Sequence, residues 1–505
     1  MKSNRNAGIA LSYVNTVLNM ICGLFLSSYL MRKLGDTNYG VYQNITSFAN
    51  YLVLLEFGTG TVMTRNLSVC RSRSSSKEEI QRNISTIWTI TGVLALLIAA
   101  VSVVFYFCLD TIYSGSMTAE QIEDGKKIFI VITVYLLASF LVSTMNGVVL
   151  AHEKYTLQSK ISIARILTRT LALIGIISFY KYSIVIACVD AVLSVAVFVF
   201  LFVYVRRELK VKVNFSNFDR AIFNASLPLC TAIFLQTLVN QANSSVAKFI
   251  TGIKLAPELV TLYSVGLYIY SMFSSLTTIP ISMYAPQITR DVIGGTRGKE
   301  LTEKLVQPSR LIAIVGGTVL FGFVAVGRSF ISIVYGNEYM QAWFIALIIM
   351  IPMFINMSNG VIINVLDAMN KRMSRSIVLS VTTGLNIILT IVLIDVFGVV
   401  GAALSTGICT FLGQVLMMNI YYQKVIGIHV LYMFKEVYKG IIVYQILGAA
   451  VGFAVSSAIS LNFVSFIVGG MTYVAISFGG FILFGKNETE KQVVDKFTGK
   501  LFHKR

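Results

Sequence analysis

The feature that most constrains this chain is a recurrence. Apolar runs of about 20 residues follow one another along the whole sequence, separated by short polar loops. A helix of that length crosses the ~30 Å hydrocarbon core of a bilayer. Inside lipid the backbone must satisfy its own N–H and C=O groups, so such runs have to be helical. About 14 can be drawn, with approximate limits 8–31, 39–63, 84–107, 128–150, 161–180, 182–205, 221–250, 259–284, 309–334, 341–366, 376–395, 398–423, 439–459 and 462–485. The sequence therefore predicts an all-α polytopic membrane protein. Composition agrees: 13% of residues are charged and mean hydropathy is +0.76, whereas soluble domains carry about 25% charged residues. No loop between the runs is long enough to hold a folded domain.

Charge sorts the loops. The N-terminus, 64–83, 151–160, 206–220, 285–307, 367–375, 424–438 and the tail form one alternating set. With its flanks this set holds roughly 30 of the 41 Lys and Arg, and the other set holds roughly seven. The positive-inside rule then puts both termini on the cytoplasmic face. Orientation accounts for the net charge of +18, and no nucleic-acid partner is implied. The six Cys are scattered without metal-ligand spacing, and His152, His429 and His503 fall in loops or the tail, so no metal site is expected. The first run is followed by no small-residue cleavage signal and reads as a retained span.

A weak internal repeat has an offset near 217 residues. Ala151-His152-Glu153-Lys154 follows the fourth run, and Ala368-Met369-Asn370-Lys371 follows the tenth. Asn6-Ala7 and Asn224-Ala225 precede the first and seventh. This predicts two pseudo-equivalent six-helix lobes, 1–220 (helices 1–6) and 221–423 (helices 7–12), plus 424–505 with two extra C-terminal helices and a basic tail. Repeated lobes around a central site are a recurring transporter plan.

Motifs narrow the class further. In 376–410 two apolar helices are joined by a very short turn, so they must be antiparallel neighbours. The first carries one central amide in Asn386-Ile387-Ile388-Leu389. The second opens with Phe397-Gly398-Val399-Val400-Gly401-Ala402-Ala403, whose small residues permit close helix approach in lipid. Leu34-Gly35 with Tyr39-Gly40-Val41-Tyr42, Glu56-Phe57-Gly58-Thr59-Gly60 with Arg65, and Tyr335-Gly336-Asn337-Glu338-Tyr339 extend the pattern over most of 1–423. Together they resemble the lipid-linked oligosaccharide flippases of the polysaccharide biosynthesis protein family, within the multidrug/oligosaccharidyl-lipid/polysaccharide exporter superfamily. The resemblance implies a non-enzymatic, multi-pass protein of the bacterial cytoplasmic membrane. It would flip an undecaprenyl-diphosphate-linked oligosaccharide by alternating access, beside polysaccharide assembly enzymes and surrounded by membrane lipids. The alternative is a cation-coupled drug exporter of the same superfamily. No cofactor is implied, beyond a coupling Na+ or H+. Many relatives place an Asp in the seventh span, where this chain has Asn240-Gln241-Ala242-Asn243. That departure puts coupling there in question. No phosphate-binding Gly-rich loop supports ATP hydrolysis.

Polar side chains inside the runs are the candidate site, because ionisable groups there cost from about 2.5 kcal/mol upward. Arg165 and Arg169 lie four apart on one helix face. They are either a cationic wall for the diphosphate, or one headgroup anchor and one partner of an internal acid. The deeper Arg169 is expected to matter more. Gln236, Asn240, Asn243, Ser244 and Lys248 form one stripe on the seventh span. Asn15 and Asn19 with Ser12 mark the first span, Asn146 with Ser139 and Ser143 the fourth, and Asn356 and Asn359 with Asn364 the tenth. Amide stripes suit sugar hydroxyls, which need donors and acceptors together. They also serve as interhelical glue. Asp190 and Glu56 are the coupling-ion candidates, with Asp190 equally able to pair with Arg169.

Overall fold

The computed structural model describes residues 2–73, 76–209, 217–369 and 371–485. Among the described residues regular structure is helical throughout, with no strand. Eleven helices there are long and apolar enough to cross a membrane, and a bent pair makes twelve. The polytopic all-α class is as expected; the described residues do not confirm the exact count of fourteen. The segment 221–250 lies within one helix, Arg220–Lys254, several of whose side chains fall outside the described residues. The segment 39–63 is not one helix at all.

Contacts divide the chain into two compact units, 1–264 and 265–505. The first contains α1 (Lys2–Leu34), α2 (Asp36–Ala49), α3 (Thr59–Ser72), α4 (Lys77–Tyr113), α5 (Ala119–Ala151), α6 (Tyr155–Phe179), α7 (Ile184–Arg207) and α8 (Arg220–Lys254). Between α2 and α3 the chain runs as a tight 3-10 turn over Asn50–Glu56. It then passes through two left-handed residues, Phe57 (φ 49°) and Gly58 (φ 65°). Hydropathy does not register this break, because the 3-10 segment itself runs through Leu52, Val53, Leu54 and Leu55. Gly58 is needed twice, for its positive φ and because an added Cβ would collide with Ile233 of α8. The broken segment feeds both apolar cores of the unit. Val41, Ile45 and Phe48 of α2 pack with Tyr113 and Phe129. Val62, Met63 and Leu67 of α3 pack with Ile84, Trp88 and Met145.

The second unit takes the rest of α9 (Pro257–Ile293), then α10 (Gly298–Val334), α11 (Gln341–Ser358), α12 (Ile362–Ala368), α13 (Arg372–Phe397), α14 (Val399–Cys409), α15 (Met418–Tyr421), α16 (Val430–Tyr438), α17 (Ile442–Ala458) and α18 (Asn462–Gly480). The pair α13–α14 turns at Gly398 (φ 56°) and is antiparallel, as 376–410 predicted; a Cβ on Gly401 would strike the Leu393 carbonyl. π-helical stretches, 410–417 and 422–426, flank α15. The last two long helices, α17 and α18, pack on α10. Ser329, Ser456 and Ser465 join the three through mutual hydroxyl contacts of 2.8–3.2 Å, the polar glue expected where burial in lipid supplies no driving force between helices. Arg310 of α10 is buried and donates to the carbonyls of Glu436, Lys439 and Gly485 at 2.7–2.9 Å. It thereby ties the ends of α16 and α18 to α10.

Candidate functional site

The first unit builds a polar cavity from two glycines. Gly60 of α3 and Gly147 of α5 lie so close that a Cβ on Gly60 would sit 2.6 Å from the Ser143 carbonyl oxygen, and one on Gly147 would strike the Gly60 carbonyl. This approach brings hydroxyls together. Thr144 meets Thr59 at 3.0 Å and Thr91 at 3.2 Å. Thr64 donates to the Gly60 carbonyl at 2.9 Å. Beside the contact opens a cavity of about 310 Å³ lined by Thr61, Thr64, Ser143, Asn146, Gln158 and Arg165. It offers hydroxyls, amides and one guanidinium. Glu56, at the end of the 3-10 turn, has its side chain near that of Ser143.

The two arginines expected together have different fates. On α6 they are four residues apart, and their partners on α7, Ser194 and Asp190, are four apart in the opposite sense. The result is a two-rung ladder between antiparallel helices. Arg169 donates to both Asp190 carboxylate oxygens, at 2.5 and 2.9 Å. Arg165 donates to the neutral Ser194 hydroxyl at 2.7 Å and lies 6.0 Å from the Tyr135 ring centroid. Among the described residues the Arg169 rung is charge-compensated and the Arg165 rung has no ion pair. Of the two readings of the pair, the structure has Arg169 beside an internal acid, Asp190, and Arg165 lining the cavity.

The remaining candidates sort by environment. Lys248 reaches the Gln43 side-chain oxygen at 2.5 Å. Asn15 has a buried side-chain oxygen with no hydrogen-bond partner among the described residues, while Asn19 is exposed. The side chains of Gln236, Asn240, Asn243 and Ser244 lie outside the described residues. In the second unit the amides are engaged between helices. Asn356 donates to Gln414 at 2.7 Å and Asn359 to Asn419 at 3.1 Å. Residues 414 and 419 are five apart, the spacing that a π-helical turn brings onto one face. Asn386, 4% exposed, accepts from Thr390, whose hydroxyl meets Ser405 of α14 at 2.6 Å. Among the described residues no three His, Cys, Asp or Glu gather as a metal site.

Sequence reading passed over several residues that the structure makes prominent. Gln158, Ser194 and the Thr59–Thr91–Thr144 cluster are small or neutral and carry no signal in a hydropathy pattern. Asn44, whose buried amide has no hydrogen-bond partner among the described residues and sits against Gly252, could have been found as an amide in the second apolar run. Arg310 and Arg328 could have been found as charges inside the ninth.

Comparisons with known proteins agree with this architecture. Residues 6–293 match the family described as "Polysaccharide biosynthesis protein". A "Putative O-antigen transporter" of Salmonella typhimurium is 23% identical over 111 residues; that match covers 22% of this chain and 23% of the relative. The fold superposes on a lipid II flippase, MurJ, in an inward closed conformation with a TM-score of 0.66 at 16% identity, covering 94% of this chain and all of that one. A multidrug resistance MATE family transporter of the MOP superfamily, inward-facing, gives 0.60 at 12% identity, covering 86% and 99%.

Proposed function

We propose that this chain, which belongs to the polysaccharide biosynthesis protein family, carries an undecaprenyl-diphosphate-linked oligosaccharide across the bacterial cytoplasmic membrane for assembly of a surface polysaccharide. The observation that carries the reading is the polar cavity of the first unit, lined by hydroxyls, amides and the guanidinium of Arg165, which among the described residues has no ion pair. A diphosphate must leave interfacial water during transfer. Fixed guanidinium donors replace that water without reorganising, and their effect grows as the local dielectric falls. Hydroxyls and amides match sugar hydroxyls in both donor and acceptor roles. A cavity whose charge is cationic suits an anionic headgroup better than a cationic drug. The cycle is alternating access of two lobes, with both termini in the cytoplasm and about 14 spans. Glu56 and the Arg169–Asp190 pair are the groups through which H+ or Na+ would act.

The test is binding of a purified lipid-diphosphate sugar, with a neutral lipid-linked sugar as control. Arg165→Ala removes a charge-assisted hydrogen bond and should weaken the diphosphate ligand roughly ten- to a hundredfold. Arg165→Lys keeps the charge but loses the planar fork, and should fall between. Arg169→Ala, in protein that still folds, should weaken binding less than Arg165→Ala. Equal loss of both ligands in Arg165→Ala would make Arg165 a structural residue and remove the basis of the reading.

A further inference from the structure

In the second unit Arg328 sits within two turns of the end of α10. Its guanidinium carbon lies 4.7 Å from the Trp343 ring centroid, 5.1 Å from that of Phe453 and 5.8 Å from that of Phe344. The rings come from α11 and α17, close to the ends of those helices. Gly327 makes room for Trp343, since a Cβ there would stand 2.8 Å from the indole. The indole N–H is held by the Phe323 carbonyl at 3.3 Å. The aromatic platform is therefore fixed before any ligand arrives. Arg328 itself is exposed. Among the described residues it has no ion pair and no hydrogen bond, only these ring contacts.

Aromatic faces attract the guanidinium through their quadrupoles. They do not accept its in-plane N–H donors, which stay available to an oxyanion. An arginine at the edge of a membrane span, beside a tryptophan, is at the depth where lipid headgroups lie. Apolar surface lies next to it. Asn462 donates to Ser332 at 2.6 Å, which sets the α17–α18 turn one helical turn from Arg328. Leu461 and Phe463 of that turn are each 68% exposed, and Phe344 is 48% exposed. A cation with free paired donors, flanked by exposed apolar side chains, fits a phosphate joined to acyl chains.

We infer that Arg328, with Trp343, Phe344 and Phe453, forms a binding site for the phosphate of an anionic phospholipid. On the orientation that the loop charges predict, this site faces the outer leaflet. It is independent of the transported substrate.

Native mass spectrometry of the detergent-purified full chain tests it, with phosphatidylglycerol as the probe and phosphatidylcholine of the same chains as the control. R328Q should lose roughly tenfold in phosphatidylglycerol affinity, the effect of one charge-assisted hydrogen bond, with phosphatidylcholine unchanged. R328K should lose less, because it keeps the charge, and F344A should weaken binding through the lost ring face. If R328Q folds poorly, R328K and F344A carry the test. Phosphatidylglycerol binding unaltered in all folded variants would overturn the site. So would a wild-type chain that does not prefer phosphatidylglycerol. Displacement of phosphatidylglycerol by stoichiometric undecaprenyl diphosphate would overturn the assignment to a bilayer lipid and give the site to the substrate. The readout is lipid binding alone, so the flippase reading can fail while this site stands.

Discussion

Breaking the Arg169–Asp190 pair should destabilise the first unit, and replacing both residues should restore it. The pair is bidentate, with donor–acceptor distances of 2.5 and 2.9 Å, and joins α6 to α7. Its side chains are 33% and 14% exposed. Removing one member of a buried pair costs ~3–5 kcal/mol, because the remaining charge is left unpaired. The third of Arg169 that is accessible can reach headgroups or water, which brings the expectation to about 2–3 kcal/mol for Asp190→Leu or Arg169→Leu. The double substitution leaves no charge to desolvate and should be close to neutral, since apolar replacement of a buried pair often is. The coupling energy of the cycle should therefore be about 4–6 kcal/mol. The assay is denaturant unfolding of the four purified proteins in one detergent, or their half-lives at a fixed temperature where unfolding is irreversible. A double variant as unstable as the two single losses added together would refute the ion-pair account.

Two further outcomes follow from geometry and charge. In a Cys-less background, Glu120→Cys should react with an impermeant thiol reagent from outside and Lys77→Cys should not; the reverse pattern would overturn the N-in orientation. Gly147→Ala forces a methyl group against the Gly60 carbonyl and should cost about 1–3 kcal/mol as α3 and α5 move apart, read by the same unfolding assay; an unchanged stability would mean that the contact is loose.

Fold class was legible because lipid permits little else: apolar runs of spanning length become helices, and the turn at 398 joins antiparallel neighbours. What hydropathy could not show was backbone conformation. The left-handed Phe57 and Gly58 break an apolar stretch that reads as one span. Spacing identified Arg165 and Arg169 as one face, but neutralisation depends on which residues the neighbouring helix presents. Only the α6–α7 contact puts Asp190 opposite one arginine and Ser194 opposite the other. Amide stripes carried the same ambiguity. The one on the fourth span delivers Asn146 to a cavity. The one on the tenth delivers Asn356 and Asn359 to interhelical bonds, and the lone amide of the eleventh, Asn386, accepts from Thr390 of its own helix. Periodicity gives the face of a helix, and the identity of what meets that face decides between binding and packing.

The central claim is movement of a lipid-diphosphate sugar across the bilayer. The direct measurement uses proteoliposomes of the purified chain, loaded with a fluorescent undecaprenyl-diphosphate oligosaccharide in one leaflet and probed with a membrane-impermeant quencher. Wild type should transfer the lipid far faster than empty liposomes, and Arg165→Ala should be slowed roughly ten- to a hundredfold if loss of binding limits the rate. Transfer no faster than in empty liposomes, or transfer untouched by Arg165→Ala in normally folded protein, would contradict the account.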